Sequence, residues 1–279
     1  MNIIDTYPEI VALIVRSGGQ FDKAEWKEYI GSISHSLTEK LEQDSGDYDF
    51  DKEIAPVLNM AFAKTGQLKQ THEAFVEVTA GLAEKTAALF GFALPVDIIL
   101  YVGLCNGAGW ATALDSKRTI LLGMEKIVEL DWCSREDMQG LIYHELGHIW
   151  HDIAGGEPAV DFENPREKSV WQLFREGVAM HVEQLLCGDE MAYHQNKHGW
   201  LDWCTRNRTQ LWAEYQRRTE QGESTQPFFG DWCSYQGHSD VGYYLGCEFV
   251  KALAKKYSLQ EIAAMGIDCV TEQFLLCRL

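Results

Sequence analysis

The spacing of apolar residues divides the chain into stretches with helical and with strand-like periods. In "DKAEWKEYIGSISHSLTEKLEQ" (22–43), Trp26, Tyr29, Ile30, Ile33, Leu37 and Leu41 recur at helical spacing and predict one amphipathic helix. "THEAFVEVTAGLAEKTAALFG" (71–91) behaves similarly and ends on Gly91, a C-cap residue type. The acidic "EQDSGDYDFD" (42–51) between them reads as a solvated loop. After Pro95 the pattern changes. "DIILYVGL" (97–104), "GWATAL" (109–114) and "RTILLG" (118–123) are short and rich in aliphatic and β-branched residues. They predict three strands in an antiparallel meander. "SREDMQGLIYHELGHIWHDIAGG" (134–156) returns to helical spacing. It opens with Ser134 and Asp137, close to a capping box, and ends at Gly155-Gly156. "EKSVWQLFREGVAMHVEQLLCG" (167–188) and "VGYYLGCEFVKALAKKY" (241–257) read as further helices. The polar and aromatic 189–240 stretch has no clear assignment. The prediction is an α+β fold: a helical N-terminal region over 1–92, then a domain over 93–279 with a small antiparallel sheet followed by helices.

Charge narrows the partners. The chain has 24 Lys and Arg against 42 Asp and Glu, a formal charge of −18. A field of that sign repels nucleic-acid phosphates and anionic lipid, so neither nucleic acid nor a membrane surface is expected as a partner. No apolar run is long enough to span a bilayer. In "MNIIDTYPEIVALIVRSGG", Asp5 and Glu9 precede the apolar centre and no basic residue does, which argues against a secretory signal. A cytoplasmic chain beginning near Met1 is expected. None of the eight cysteines forms a C-x-x-C pair, so reduced, mostly buried thiols are expected.

The chemistry is concentrated in "LIYHELGHIW" (141–150). On a helix, His144 and His148 lie one turn apart on one face and can point their imidazoles at one metal ion. Glu145 lies beside them without coordinating, placed to act as a general base toward water. Leu141, Leu146, Ile149 and Ile153 would anchor this helix in a core, and Gly147 would leave room beside the ion. A catalytic zinc needs a third protein ligand and an open position. His151 is one candidate, although three ligands within two turns of one helix rarely close a tetrahedral site. A third histidine at the metzincin spacing is absent, because position 154 is Ala and position 151 is His where Gly is expected. Glu176 is a further candidate. It lies in "FREGVAMH" (174–181), with Gly177 beside it, and a turn at 155–166 would bring two antiparallel helices together.

"HELGHIW" followed by "VWQLFREGVAMHVE" resembles the gluzincin metallopeptidases, whose second motif reads E-G-x-A or close to it. The resemblance implies a zincin-like fold, one zinc ion held by His144, His148 and Glu176, and hydrolysis of a peptide or protein substrate. "GYYLGCEFVKAL" (242–253) is similar to the gluzincin Y-x-x-G segment, which implies that Tyr243 stabilises an oxyanion or donates a proton, with Gly246 matching the glycine. "PFFGDWCSYQGHSDVGYYLGCEFV" (227–250) is similar to small, poorly characterised bacterial zinc-dependent proteases within the gluzincins. The likeness covers roughly 97–265, and "GWATAL" would be the edge strand lining the cleft. The gap from His148 to Glu176 is wider than in the aminopeptidases, and no counterpart of their motif for a free amino terminus is present. An endopeptidase or specialised peptidase is therefore implied.

Other residues have blander readings. His238, in a loop before the last of these helices, could add an oxyanion donor or be a surface histidine. His181 reads as structural, and His194 and His198 as a solvated face. The tryptophans at 200–212 fill a core or wall a cleft. The alternative function is a catalytically silent or regulatory peptide-binding protein on the same fold. A metal-dependent hydrolase of another bond is also open. Oligomeric state is not encoded in any pattern found.

Overall fold

A computed structural model describes residues 1–155, 162–230 and 232–279. The chain is α+β, with thirteen α-helices and a four-stranded mixed sheet among the described residues. It divides into two compact units, Met1–Glu145 and Leu146–Leu279. The boundary expected near residue 92 falls inside the first unit.

The first unit opens with β1 (Asn2–Asp5) and α1 (Tyr7–Arg16). The single helix expected over 22–43 is two, α2 (Lys23–Ile33) and α3 (His35–Asp44). They part at Ser34, which is extended at φ −161° and turns its hydroxyl to the Ser36 N–H. A serine that can cap competes with helix continuation, and the apolar spacing does not reveal this. Trp26, Tyr29, Ile30, Leu37 and Leu41 are all buried. The acidic stretch read as a loop is helical to Asp44 and continues into short turns at Ser45–Asp47 and Phe50–Ile54. There follow α4 (Ala55–Ala63), α5 (Thr65–Thr79) and α6 (Leu82–Phe90). The helix expected over 71–91 is broken at Gly81, whose φ of +72° is open to glycine, and α6 ends on Gly91 at φ +78°.

The strands β2 (Asp97–Tyr101), β3 (Gly109–Leu114) and β4 (Lys117–Gly123) lie where expected, but they are not an antiparallel meander. The order is β1-β2-β4-β3, with β1, β2 and β4 parallel and β3 antiparallel to β4 at one edge. Ile98 to Tyr101 and Ile120 to Gly123 are buried without alternation, as in strands covered on both faces. That continuous burial separates a central parallel strand from one in a meander. β3 and β4 join through Asp115-Ser116, both at positive φ, the geometry of a tight hairpin turn. α7 (Met124–Glu129) follows, then α8 (Arg135–Ala154), which runs unbroken across the division between the units. Ser134 and Asp137 cap α8 reciprocally: the Asp137 N–H donates to Ser134 Oγ (3.2 Å), and Ser134 N–H donates to the Asp137 carboxylate (3.3 Å). Its expected end at Gly156 and part of the 155–166 turn lie outside the described residues.

The second unit holds α9 (Pro165–Cys187), α10 (Trp200–Gln221), α11 (Val241–Ala254), α12 (Leu259–Ala263) and α13 (Ile267–Leu276). α10 gives order to the unassigned 189–240 stretch. Its Trp200 and Trp212 are buried core, and Trp212 packs on Phe249 and Phe274. α9 and α11 cross at two glycines. A Cβ on Gly177 would lie 2.2 Å from the Gly246 carbonyl oxygen, so only glycine permits this contact. The eight cysteines are all thiols. No helix among the described residues is long and apolar enough to cross a membrane.

Candidate metal centre

His144 and Glu145 are adjacent on α8, His148 stands one turn later, and Glu176 is on α9. Antiparallel packing of α8 on α9 builds the site. Gly147 lies against Ala179, where an added Cβ would come within 2.7 Å of the Ala179 Cα. Further along, Asp152 pairs with Arg175 at 3.0 Å, and the His151 ring meets Phe174 edge-on at 5.4 Å. The expected space at Gly147 is therefore used by the backbone of α9, not by an ion. Gly177, expected to ease the approach to the ion, instead seats α11.

This crossing brings His148 Nε2 to 3.2 Å from Glu176 Oε2. His144, one turn earlier on α8, completes a set in which one ligand atom from each of His144, His148 and Glu176 lies within 4.8 Å of the others. Both histidines are buried and Glu176 is half-buried. Two imidazoles and a carboxylate, shielded and convergent, can hold a metal ion.

Glu145, next to His144 on α8, reaches β3. Its Oε2 accepts the Ala111 N–H of β3 at 2.8 Å. A Cβ on Gly109 would lie 2.5 Å from Glu145 Oε1, so the carboxylate occupies space that only glycine leaves. β3 is an edge strand, as "GWATAL" was expected to be.

Tyr243 sits in the first turn of α11, half-buried, with its ring edge-on to Phe229 at 5.6 Å. It is one turn before Gly246, the glycine that meets Gly177. His238 closes a small hairpin with Tyr235 and stacks on Trp203 at 3.8 Å, 19° from coplanar. His151 is not grouped with the ligand set. It is buried, one ring nitrogen bonds to the Ala263 backbone, and burial followed by the Arg175 charge pushes its pKa down to about 3.

Glu183 and His194 are the functional candidates the sequence did not single out in these roles. Glu183 is fully buried in α9, two turns after Glu176. Its carboxylate accepts the His194 N–H (2.9 Å) and meets His194 Nδ1 at 2.8 Å. These two and His144 form a second convergent set within the same 4.8 Å limit. His194 thus belongs to no solvated helix face; only His198, at φ +52°, is exposed. The signal available was the seven-residue spacing from Glu176 to Glu183, which puts both carboxylates on one face of α9. His181 is half-buried, and its Nδ1 has no hydrogen-bond partner. The chain matches no known protein-family model, curated protein or solved structure, so the site's chemistry rests on its own residues.

Proposed function

We propose that this chain is a zinc-dependent peptidase of the gluzincin type on a zincin-like fold. Convergence of His144, His148 and Glu176 carries the reading, with Glu145, next to His144 on α8, held by the edge strand β3. The donor set suits zinc. In a tetrahedron with bonds of about 2.05 Å, neighbouring ligand atoms stand about 3.3 Å apart. The His148–Glu176 separation of 3.2 Å is close to that edge length. Two neutral imidazoles and one carboxylate leave one position open, as in catalytic zinc sites.

When bound, the ion would supply Lewis acidity toward a peptide carbonyl and toward water. The remaining steps belong to the chain. Glu145 takes a proton from the attacking water on its carboxylate and passes it to the leaving amine nitrogen. The Ala111 N–H orients that carboxylate. Glu183, tied to His194, stands within 4.8 Å of a His144 ring nitrogen, and a carboxylate beside a ligating histidine raises its basicity. Tyr243 donates a hydrogen bond to the developing oxyanion, and the Gly177–Gly246 contact sets its helix against the helix of Glu176.

A quenched-fluorescent peptide library incubated with the zinc-loaded protein tests the reading. Cleavage that disappears in Glu145→Gln is the expected result. A zinc-binding protein that captures peptides without cleaving them would favour the regulatory alternative.

A further inference from the structure

Glu125 is the one fully buried carboxylate of the first unit among the described residues. Isolated buried carboxylates are costly unless hydrogen bonds compensate. Here the compensation is a loop. Glu125 Oε2 accepts the Gly103 N–H (3.0 Å) and Oε1 accepts the Cys105 N–H (3.1 Å). The intervening Leu104 N–H donates to Asn106 Oδ1 at 2.9 Å, and Asn106 Nδ2 donates to the Leu41 carbonyl and to Asp44. Three successive backbone N–H groups are thus held by side chains, with no secondary structure to hold them. The loop needs the restraint, since Cys105 stands at φ +62° and Gly107 at φ +149°. It is also packed tight. A Cβ on Gly103 would lie 2.9 Å from the Tyr101 ring, and one on Gly123 2.5 Å from the Gly107 carbonyl oxygen. Burial pushes the Glu125 pKa up to about 7, against the pull of these backbone donors. Tyr101, Tyr29 and Lys126 are the titratable groups that interact with it, and Lys126 itself pairs with Glu129.

Two residues beyond Gly107 the loop becomes β3, at Gly109 and Ala111, where the Glu145 carboxylate is seated. We propose that Glu125 is a positioning residue: it fixes the 103–108 loop so that Gly109 and Ala111 receive the carboxylate of Glu145. The catalytic consequence rests on the reading of Glu145 as the base; the restraint itself does not.

Amide hydrogen exchange on full-length Glu125→Gln tests the inference. Glutamine offers one acceptor oxygen in place of two, so one loop N–H loses its partner. Exchange at Ala111 should quicken at least roughly tenfold while Ile98 and Leu121, in the neighbouring strands, keep their protection. On a cleaved peptide, kcat should fall with KM and zinc content unchanged. Should Glu125→Gln fail to fold, the half-buried Asn106→Ala loosens the same loop from its other side and should quicken Ala111 in the same way. Unchanged Ala111 exchange in a folded variant with a loosened 103–105 segment would overturn the inference. Quickened Ala111 exchange in a protein that cleaves no peptide would uphold the restraint and count against the peptidase reading.

Discussion

His148 on α8 and Glu176 on α9 stand 28 residues apart in sequence and 3.2 Å apart in space, Nε2 to Oε2. The approach depends on Gly147, next to His148, where an added Cβ would lie 2.7 Å from the Ala179 Cα, so a larger residue there would force the helices apart. Ligand separation is thus a property of helix packing, and the predictions follow from that packing and from the groups around it.

Glu145→Gln keeps the shape of the side chain and removes its basicity. Peptide turnover should drop by at least about 10³-fold, while zinc content stays near that of the wild type. Parallel measurement of kcat and metal content checks both parts. Retained turnover would remove Glu145 from the mechanism.

Glu183→Gln should weaken zinc binding by roughly 10–100-fold, because the carboxylate that stands within 4.8 Å of His144 loses its charge. Competition with a chromogenic chelator measures this, with circular dichroism confirming that the buried substitution leaves the fold intact. Affinity equal to wild type in a folded variant would make the Glu183–His194 pair purely structural.

Gly177→Ala should destabilise the protein by about 1–3 kcal/mol, since the new methyl has to displace the backbone of α11 at Gly246. Gly31→Ala is the control. Gly31 lies inside α2 with nothing within 4 Å of an added Cβ, so alanine should be neutral or stabilising by its higher helix propensity. Urea denaturation of the two variants should move the midpoint in opposite directions, or leave Gly31→Ala unmoved.

His151 gives stability a pH dependence. Burial keeps it neutral, with its pKa pushed down to about 3 from an unfolded value near 6.5. Between those values the unfolded chain binds a proton that the folded chain does not. Stability from this group is therefore full above about pH 6.5 and is lost as pH falls toward 3. Urea midpoints at pH 7 and pH 5 should differ less in His151→Phe than in the wild type. Equal differences would mean that His151 titrates normally.

Part of the candidate site's geometry was legible because it is local. The one-turn spacing of His144 and His148 is a helix property, and α8 is announced by its own apolar residues and the Ser134–Asp137 cap. Glu176 needed a longer step, since its reach to His148 depends on Gly147 and Ala179 meeting across two helices. Glu183 and His194 lay beyond sequence reasoning. A buried glutamate and a surface glutamate look alike until packing assigns them, and His194 approaches from a turn. The sheet shows the same limit. The strands β2, β3 and β4 were readable from composition, but the parallel pairing of β2 with β4, and of β1 with β2, is set by contacts between residues far apart in the chain. Ser34 and Gly81 broke helices whose apolar rhythm continues across them.

Zinc content measured by elemental analysis on the purified chain, after zinc loading and exhaustive dialysis, tests the central claim most directly. The account predicts about one ion per wild-type chain and its loss from Glu176→Ala. A wild-type chain that retains no zinc, or a Glu176→Ala variant that holds it as firmly, would contradict it.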